Sequence, residues 1–410
     1  MNLLTENIVE PKLRFNEFRI NWNVKKLKDL VKINQGLQIP ISDRYKEKIE
    51  GSYFYITNEF LKSNSEKKYF VLNPNKSVLC DVNDILMTRT GNTGKVVTNV
   101  KGVFHNNFFK IAYPDTIAKD FLFYFLNLKS TQNTIKRLAG TSTIPDLNHS
   151  DFYRIYFSFP FLTEQKKIAS FLSAVDKKLQ QLTKKKELLE EYKKGVMQKI
   201  FSQEIRFTDA NGSNYPDWEN KKLGEVGETF NGLTGKTKVD FGRGKPFIQY
   251  MQIFNSAKID TSKFGYVDIN EGEKQKTAKY GDIFFTTSSE TPLEIGYASV
   301  LTEEVEEVYL NSFCFGYRPN SLTELYPDFS SYLFRSEFLR KQIVKLAQGS
   351  TRYNMSKVQL MKVLIQLPSL DEQQKIANFL SSIDKKIELV NTQIENTKAF
   401  KKGLLQQMFV

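Results

Sequence analysis

EQKKIASFLSAVDKK (164–178) returns as EQQKIANFLSSIDKK (372–386). Eleven of the fifteen positions are identical, and the two copies start 208 residues apart (164 and 372). Pro160 and Pro368 close the segment before each copy, and Thr163 or Ser369 can cap the helix that begins there. SLDE at 369–372 fits the capping-box pattern, with acidic residues in the first turn to favour the helix dipole. Neither stretch then meets a proline, and the only glycines are Gly195 and Gly403. Apolar residues recur at a 4,3 spacing: Ile168, Leu172, Val175, Leu179, Leu182, Leu189, Val196 and Ile200. The second set is Ile376, Leu380, Ile383, Ile387, Val390, Ile394, Leu404 and Met408. Lys186 and Lys193 interrupt the first seam, Thr397 and Lys401 the second. A heptad sustained this long calls for a coiled-coil partner, and the simplest partner for one helix is the other. About 39 residues at ~1.5 Å each make a rod of roughly 58 Å. Two such rods packed antiparallel would carry a globule at each end, related by a pseudo-twofold axis.

The duplication reaches much further. KLRF (12–15) matches EIRF (204–207), Trp22 before KKLKDL matches Trp218 before NKKLGEV, and Gly36-Leu37 answers Gly232-Leu233. NDILMT (83–88) matches GDIFFT (281–286), RLAGTSTIPDL (137–147) matches KLAQGSTRYNM (345–355), and GVMQKIF (195–201) matches GLLQQMF (403–409). A period near 200 means duplicated domains, not a solenoid of short repeats. Between the anchors lie short β-rich runs such as SYFYIT, DILMT, FFKIAY, DIFFTTS and RIYFSF, punctuated by Gly, Asn and Pro. Helical stretches such as DFLFYFLNLKSTQNTIKRLA (120–139) and FSSYLFRSEFLRKQIVKLA (329–347) interrupt them. The fold expected is α+β: globules at 1–162 and 203–368, each followed by a long helix, 163–202 and 369–410.

Bulk properties narrow the function. The 410 residues are 40% hydrophobic and 13% aromatic, enough for two or three cored domains. Lys and Arg outnumber Asp and Glu by 59 to 46, a net charge of +13 with a pI near 9.3, which suits a polyanionic partner. Two cysteines (Cys80, Cys314) and two histidines (His105, His149) show no zinc or disulfide spacing. The start MNLLTENIVEPKLRF is no signal peptide, and the longest apolar run, FLFYFL (121–126), is too short to span a bilayer. A cytoplasmic protein with no membrane association is expected.

Catalytic motifs are missing. GLTGKT (232–237) and GNTGKV (91–96) lack the spacing of a phosphate-binding loop. No Asn-Pro-Pro-aromatic tetrapeptide of adenine methylation occurs. Pro145-Asp146 with Asp176-Lys177-Lys178 imitates a restriction-nuclease carboxylate set, but Asp176 and Lys178 lie in the heptad helix, where charged pairs are ordinary surface. The chain reads as a binder rather than a stand-alone nuclease or methyltransferase; a coiled-coil protein scaffold is the other alternative.

FPFLTEQKKIASFLSAVDKK (159–178) and LPSLDEQQKIANFLSSIDKK (367–386), supported by ILMTRTGNTGK (85–95) and the L-A-x-x-S-T element near 138–143 and 346–351, resemble the specificity subunit of type I restriction-modification enzymes. The likeness covers essentially the whole chain. It implies two target recognition domains, each reading half of a split, asymmetric double-stranded DNA site. It also implies helices that space the half-sites and dock two adenine-methylating modification subunits, with restriction subunits joining to cleave. S-adenosylmethionine, ATP and Mg²⁺ would serve those partners, and this chain would hold no cofactor, metal or catalytic residue.

Phosphates are met by Lys, Arg, Ser, Thr and Asn, and base edges by bidentate Arg, Asn and Gln. The first candidate is the Gly-rich loop with Arg89, Thr90, Asn92, Thr93 and Lys95; its counterpart TTSSETPLEIG (286–296) has no basic residue. Next come Ser142 and Thr143 in GTSTIPDLN, with Ser350, Thr351, Arg352, Tyr353 and Asn354 in QGSTRYNMS. Third are Gln35, Gln38, Arg44 and Tyr45, with Lys236, Lys238, Arg243 and Lys245 in the second copy. Replacing Arg89 or Arg352 is expected to weaken cognate binding more than non-specific binding, by ~1–3 kcal/mol where the side chain reads a base. Titrating cognate and unrelated duplexes in parallel measures the difference.

Overall fold

The computed structural model describes residues 10–62, 65–140 and 143–410. The chain divides into two compact units, 1–183 with 392–410, and 184–391. Both divisions fall inside the long helices, Leu162–Phe201 and Leu370–Gln407. Each unit therefore owns the beginning of one long helix and the end of the other.

In the first unit, strands Lys32–Gln35, Phe108–Ala112, Ile85–Thr88 and Val96–Val97 make an antiparallel four-stranded sheet in that order. A second sheet orders Phe70–Val71, Tyr53–Ile56, Gly102–Phe104 and Leu79–Cys80, with Tyr53–Ile56 and Gly102–Phe104 parallel. Asn23–Lys26 pairs with Tyr156–Phe159 and closes the globule. The second unit repeats the plan. Its main sheet orders Gly227–Asn231, Cys314–Pro319, Ile283–Thr286 and Ala298–Val300. Its second sheet joins Gly265–Val267, Phe241–Ile248 and Tyr309–Leu310, the last pair parallel. Glu219–Lys222 with Leu364–Leu367 makes the closing pair. The runs DILMT and DIFFTTS are central strands buried on both faces, which explains their unbroken apolar character.

The repeated Glu-Gln dipeptide turns out to be a buried clasp. In the first unit Arg14 donates from Nε and Nη2 to the two oxygens of Glu164, each at 2.8 Å, and the Trp22 indole donates to the same carboxylate at 3.3 Å. Gln165 donates to the carbonyls of Pro160 and Thr116 and accepts from the Ala118 amide. The second unit makes the same set: Arg206 and Trp218 on Glu372, with Gln373 on Pro368, Glu324 and the Tyr326 amide. Both carboxylates are nearly sealed from solvent, with side chains 3% and 0% exposed. Burial of a carboxylate is tolerable only with this many donors, and the carboxylate in turn raises the pKa of Arg14 and of Arg206.

Two expectations change here. The capping box at SLDE does not form: Glu372 is spent on Arg206 and Trp218, and Ser369 Oγ is buried with no hydrogen-bond partner. Thr163 lies inside its helix, which starts at Leu162. The helical stretch 120–139 is two helices, Lys119–Asn127 and Lys129–Leu138, because Leu128 is extended (φ −58°, ψ 141°) and buried in the core. Its counterpart breaks likewise into Pro327–Leu333 and Glu337–Val344, where Ser336 caps the second piece.

The seam is apolar as read, but its early turns are shared with the globules. Ile168, Leu172 and Val175 join the core of the first unit, and Ile376, Leu380 and Ile383 that of the second. Leu182 and Val390 are buried, Leu179 and Ile387 half-buried. The lysines that interrupt the seam bond across it: Lys401 with Asp176 at 2.5 Å in the first unit, Lys193 with Asp384 at 2.5 Å and Lys186 with Asn391 at 3.0 Å in the second. Both partners of the first ion pair lie 208 residues from those of the second (176 and 384, 193 and 401). Within each unit the two helix segments thus run antiparallel, as the seam required. Tyr124 and Tyr332 donate to the same aspartates at 2.8 Å, tying sheet-side helices to the long ones. The far ends plug in as well: Phe409 stacks on Phe121 at 4.9 Å, and Phe201 lies 5.8 Å from Phe329.

Glu372→Ala would leave the Arg206 guanidinium and the Trp218 indole without their acceptor. The expected loss is about 3 kcal/mol in denaturant unfolding of the intact chain, and Glu164→Ala should cost a similar amount.

Candidate nucleic-acid interface

In the first unit the loop 89–95 leaves the buried strand Ile85–Thr88 and returns through left-handed Gly91 (φ 88°) and Gly94 (φ 87°). A Cβ at Gly91 would meet Asn58 Nδ2 at 2.5 Å, so the turn is held close against its neighbour. The second candidate loop is stitched to it. Arg89 Nε donates to Asp146 at 2.9 Å, its Nη2 and the Thr90 hydroxyl bond the same carboxylate, and Thr93 Oγ1 donates to the carbonyls of Arg89 (2.9 Å) and Pro145 (2.6 Å). The Leu147 amide donates to the Arg89 carbonyl at 3.0 Å. The Arg89 fork holds the Asp146 carboxyl below its usual range, and burial lowers the neighbouring His149.

Arg89 is therefore engaged by Asp146 within the unit, where it also acts as a strut between the two loops, and Thr90 and Thr93 are committed with it. Asn92 and Lys95 remain at the tip, exposed, with side chains that make no hydrogen bond or ion pair among the described residues. Thr143 is exposed; Ser142 lies outside the described residues.

The equivalent place in the second unit keeps the stitch and changes the chemistry. Ser288–Ser289 pairs with Tyr353–Met355, setting Ser288 opposite Asn354, as Thr90 lies opposite Asp146 in the first unit. The Met355 amide donates to the Thr287 carbonyl, as Leu147 does to Arg89. Ala347–Gln348 completes a hairpin whose turn exposes Ser350, Thr351 and Arg352; Tyr353 is half-buried and Asn354 exposed.

The third-ranked residues divide. Gln35 is structural, donating to the Phe108 carbonyl and pairing with His149 Nε2 at 2.6 Å. Arg44 is structural too, donating to the Ile39 carbonyl at 2.8 Å beneath the Tyr55 and Tyr69 rings. Gln38 and Tyr45 are exposed. Lys236 is withdrawn, bonded to Glu273 at 2.6 Å with a side chain only 4% exposed. Arg243 pairs with Asp268 and Lys245 with Glu307 at the surface, and Lys238 stands exposed and unpaired among the described residues. Sequence spacing could not separate these, because a lysine that meets a glutamate 37 residues away looks like any other.

Sequence reading also missed a groove that recurs in each unit. In the second unit Lys193, Lys194, Met197 and Gln198 line a cavity of about 1020 Å³. In the first unit Lys401, Lys402, Leu405 and Gln406, each 208 positions on, line one of about 860 Å³. Among the described residues no His, Cys, Asp and Glu cluster could hold a metal ion, and no helix is long and apolar enough to cross a membrane. Asp146 and Asp176 serve separate ion pairs, so the nuclease-like spacing does not assemble.

Known proteins match this arrangement. Residues 19–191 and 215–398 each match the family described as the type I restriction modification DNA specificity domain. The chain belongs to that family. It is 27% identical over 404 residues to the type I restriction enzyme MjaVIII specificity subunit of Methanocaldococcus jannaschii, covering 94% of this chain and 91% of that one. The MjaIX specificity subunit of the same organism is 26% identical over 296 residues, covering 66% of this chain and 67% of the other. Among solved structures, a type I restriction-modification S subunit from M. genitalium superposes with a TM-score of 0.59 at 19% identity, covering 98% and 99% of the two chains. A chain from a study of complex assembly and conformational transition of the type I R-M system reaches 0.57 at 17% identity, covering 95% and 97%. These likenesses show the fold. The two family matches fall on the two repeats, so this specificity chain carries two copies of the recognition domain.

Because the Arg89–Asp146 tie holds two loops together, Asp146→Ala should lower stability by about 1 kcal/mol at neutral pH. The folded-state pKa of Asp146 is depressed, so its contribution is present above the ordinary aspartate pKa. It is lost as pH falls through the folded value. Melting curves of wild type and variant should differ at pH 7 and converge in strong acid.

Proposed function

We propose that this chain is the DNA sequence-recognition subunit of a type I restriction-modification complex, reading a bipartite, asymmetric site with one half per recognition domain. The observation that carries the reading is one scaffold presented twice with different side chains at the same place. The backbone bridge made by Thr90 and Asp146 is made again by Ser288 and Asn354, while the exposed tips differ. A protein that bound one ligand twice would keep those tips alike; a reader of two different half-sites would not. The excess of positive charge suits the phosphate backbone.

The two grooves 208 residues apart support docking of two copies of one modification subunit, which would supply adenine methylation with S-adenosylmethionine. Restriction subunits would add ATP- and Mg²⁺-dependent cleavage. In this reading the chain itself is non-catalytic and works in the cytoplasm. The test is a methylation map of DNA from cells carrying the complete system. Two defined halves separated by several unspecified bases are expected, and a short continuous motif would overturn the split-site reading. Methylation or cleavage by the purified chain alone would overturn its non-catalytic role.

A further inference from the structure

We infer that Arg352 reads a guanine in the half-site assigned to the second recognition domain, an assignment that rests on the recognition function proposed above. Residues 184–391 contain six arginines, and five are engaged within the unit. Arg206 is held by Glu372, Arg243 by Asp268 and Arg318 by Asp282. Arg335 donates to the carbonyls of Ala298, Ile253, Phe254 and Ser256, and Arg340 to those of Gly296 and Leu293. Arg352 makes no hydrogen bond or ion pair among the described residues, and it is exposed.

Its backbone, in contrast, is well placed. The hairpin pairs Gln348 with Asn354 and is stitched to Ser288–Ser289. The turn passes through Gly349 at φ 124°, where an added Cβ would come within 2.3 Å of the Arg352 carbonyl oxygen. The hairpin fixes where the Arg352 backbone sits, and its guanidinium, with its donors unused, is free to meet a planar partner with two adjacent acceptors. Guanine offers O6 and N7 in that arrangement in the major groove. Asn354, two residues on, is exposed with an equally unused side chain.

A phosphate contact fits less well. Arg352 is the one cation of the hairpin 347–355, and the position it occupies is not kept basic in the other copy. The equivalent position in the first unit, 208 residues earlier, is Ile144, 62% exposed, which cannot hold a phosphate. An exposed isoleucine can pack on a thymine methyl. A position that carries arginine in one copy and isoleucine in the other varies as a base-reading position should.

The test compares wild type with Arg352→Ala in the assembled complex with its modification subunits, measuring binding to a randomised pool of duplexes at two salt concentrations. Wild type should select a two-part motif. The variant should lose preference for guanine at one position of one half-site, by about ten- to a hundred-fold, with the other half unchanged. Its thermal melting should match wild type, since the tip is exposed. An equal drop for every sequence, with a shallower salt dependence, would make Arg352 a phosphate contact and overturn the assignment. An unchanged motif would overturn it too. Absence of any sequence preference in wild type would instead bring down the recognition function itself.

Discussion

The rest of each unit depends on a carboxylate buried in the first turn of a long helix. Glu164 and Glu372 are each held by an arginine fork and an indole N–H, and the glutamine that comes next bonds backbone on both sides of it. A desolvated charge of this kind has one low-energy arrangement, because any slip leaves several strong groups unpaired. The clasp therefore fixes the angle at which the helix leaves its globule. Asp176 and Asp384, further along the same helices, repeat the tie through Tyr124 and Tyr332 and pass it to the opposing helix segment through Lys401 and Lys193. The near-identity of the two fifteen-residue copies is explained by this role: most of their conspicuous polar residues are structural fastenings.

Rigid fastening of the frame leaves variation to the loops. Both units join the loop after the central strand to the loop before the closing strand by the same backbone bridge. In one unit an arginine–aspartate pair stiffens the joint; in the other a short third strand does. Either solution supplies a firm base from which a few side chains project, the arrangement expected where recognition is carried by loops on a stable scaffold. The two copies differ there and agree in the clasp.

The duplication, the α+β character and the two long helices were legible in the sequence, because periodicity and repeat spacing are local or additive signals. The heptad seam survives even where its early turns serve a globule core instead of the opposing helix: Ile168 and Leu172 are apolar for either purpose. The candidate DNA contacts were legible only as a set of loops. Within that set the tertiary structure separated the free from the committed: Arg89, Gln35, Arg44 and Lys236 are spent internally, while Asn92, Lys95, Lys238 and Arg352 are not.

Which segments repeat, which form helical rods and which are loops can thus be read along the chain, since each follows from the order of apolar and polar residues. What the charged residues do is settled by folding. An ion pair depends on distance in space, and the partners that matter here lie far apart in the chain: Glu164 is 150 residues from Arg14, and Asp146 is 57 from Arg89.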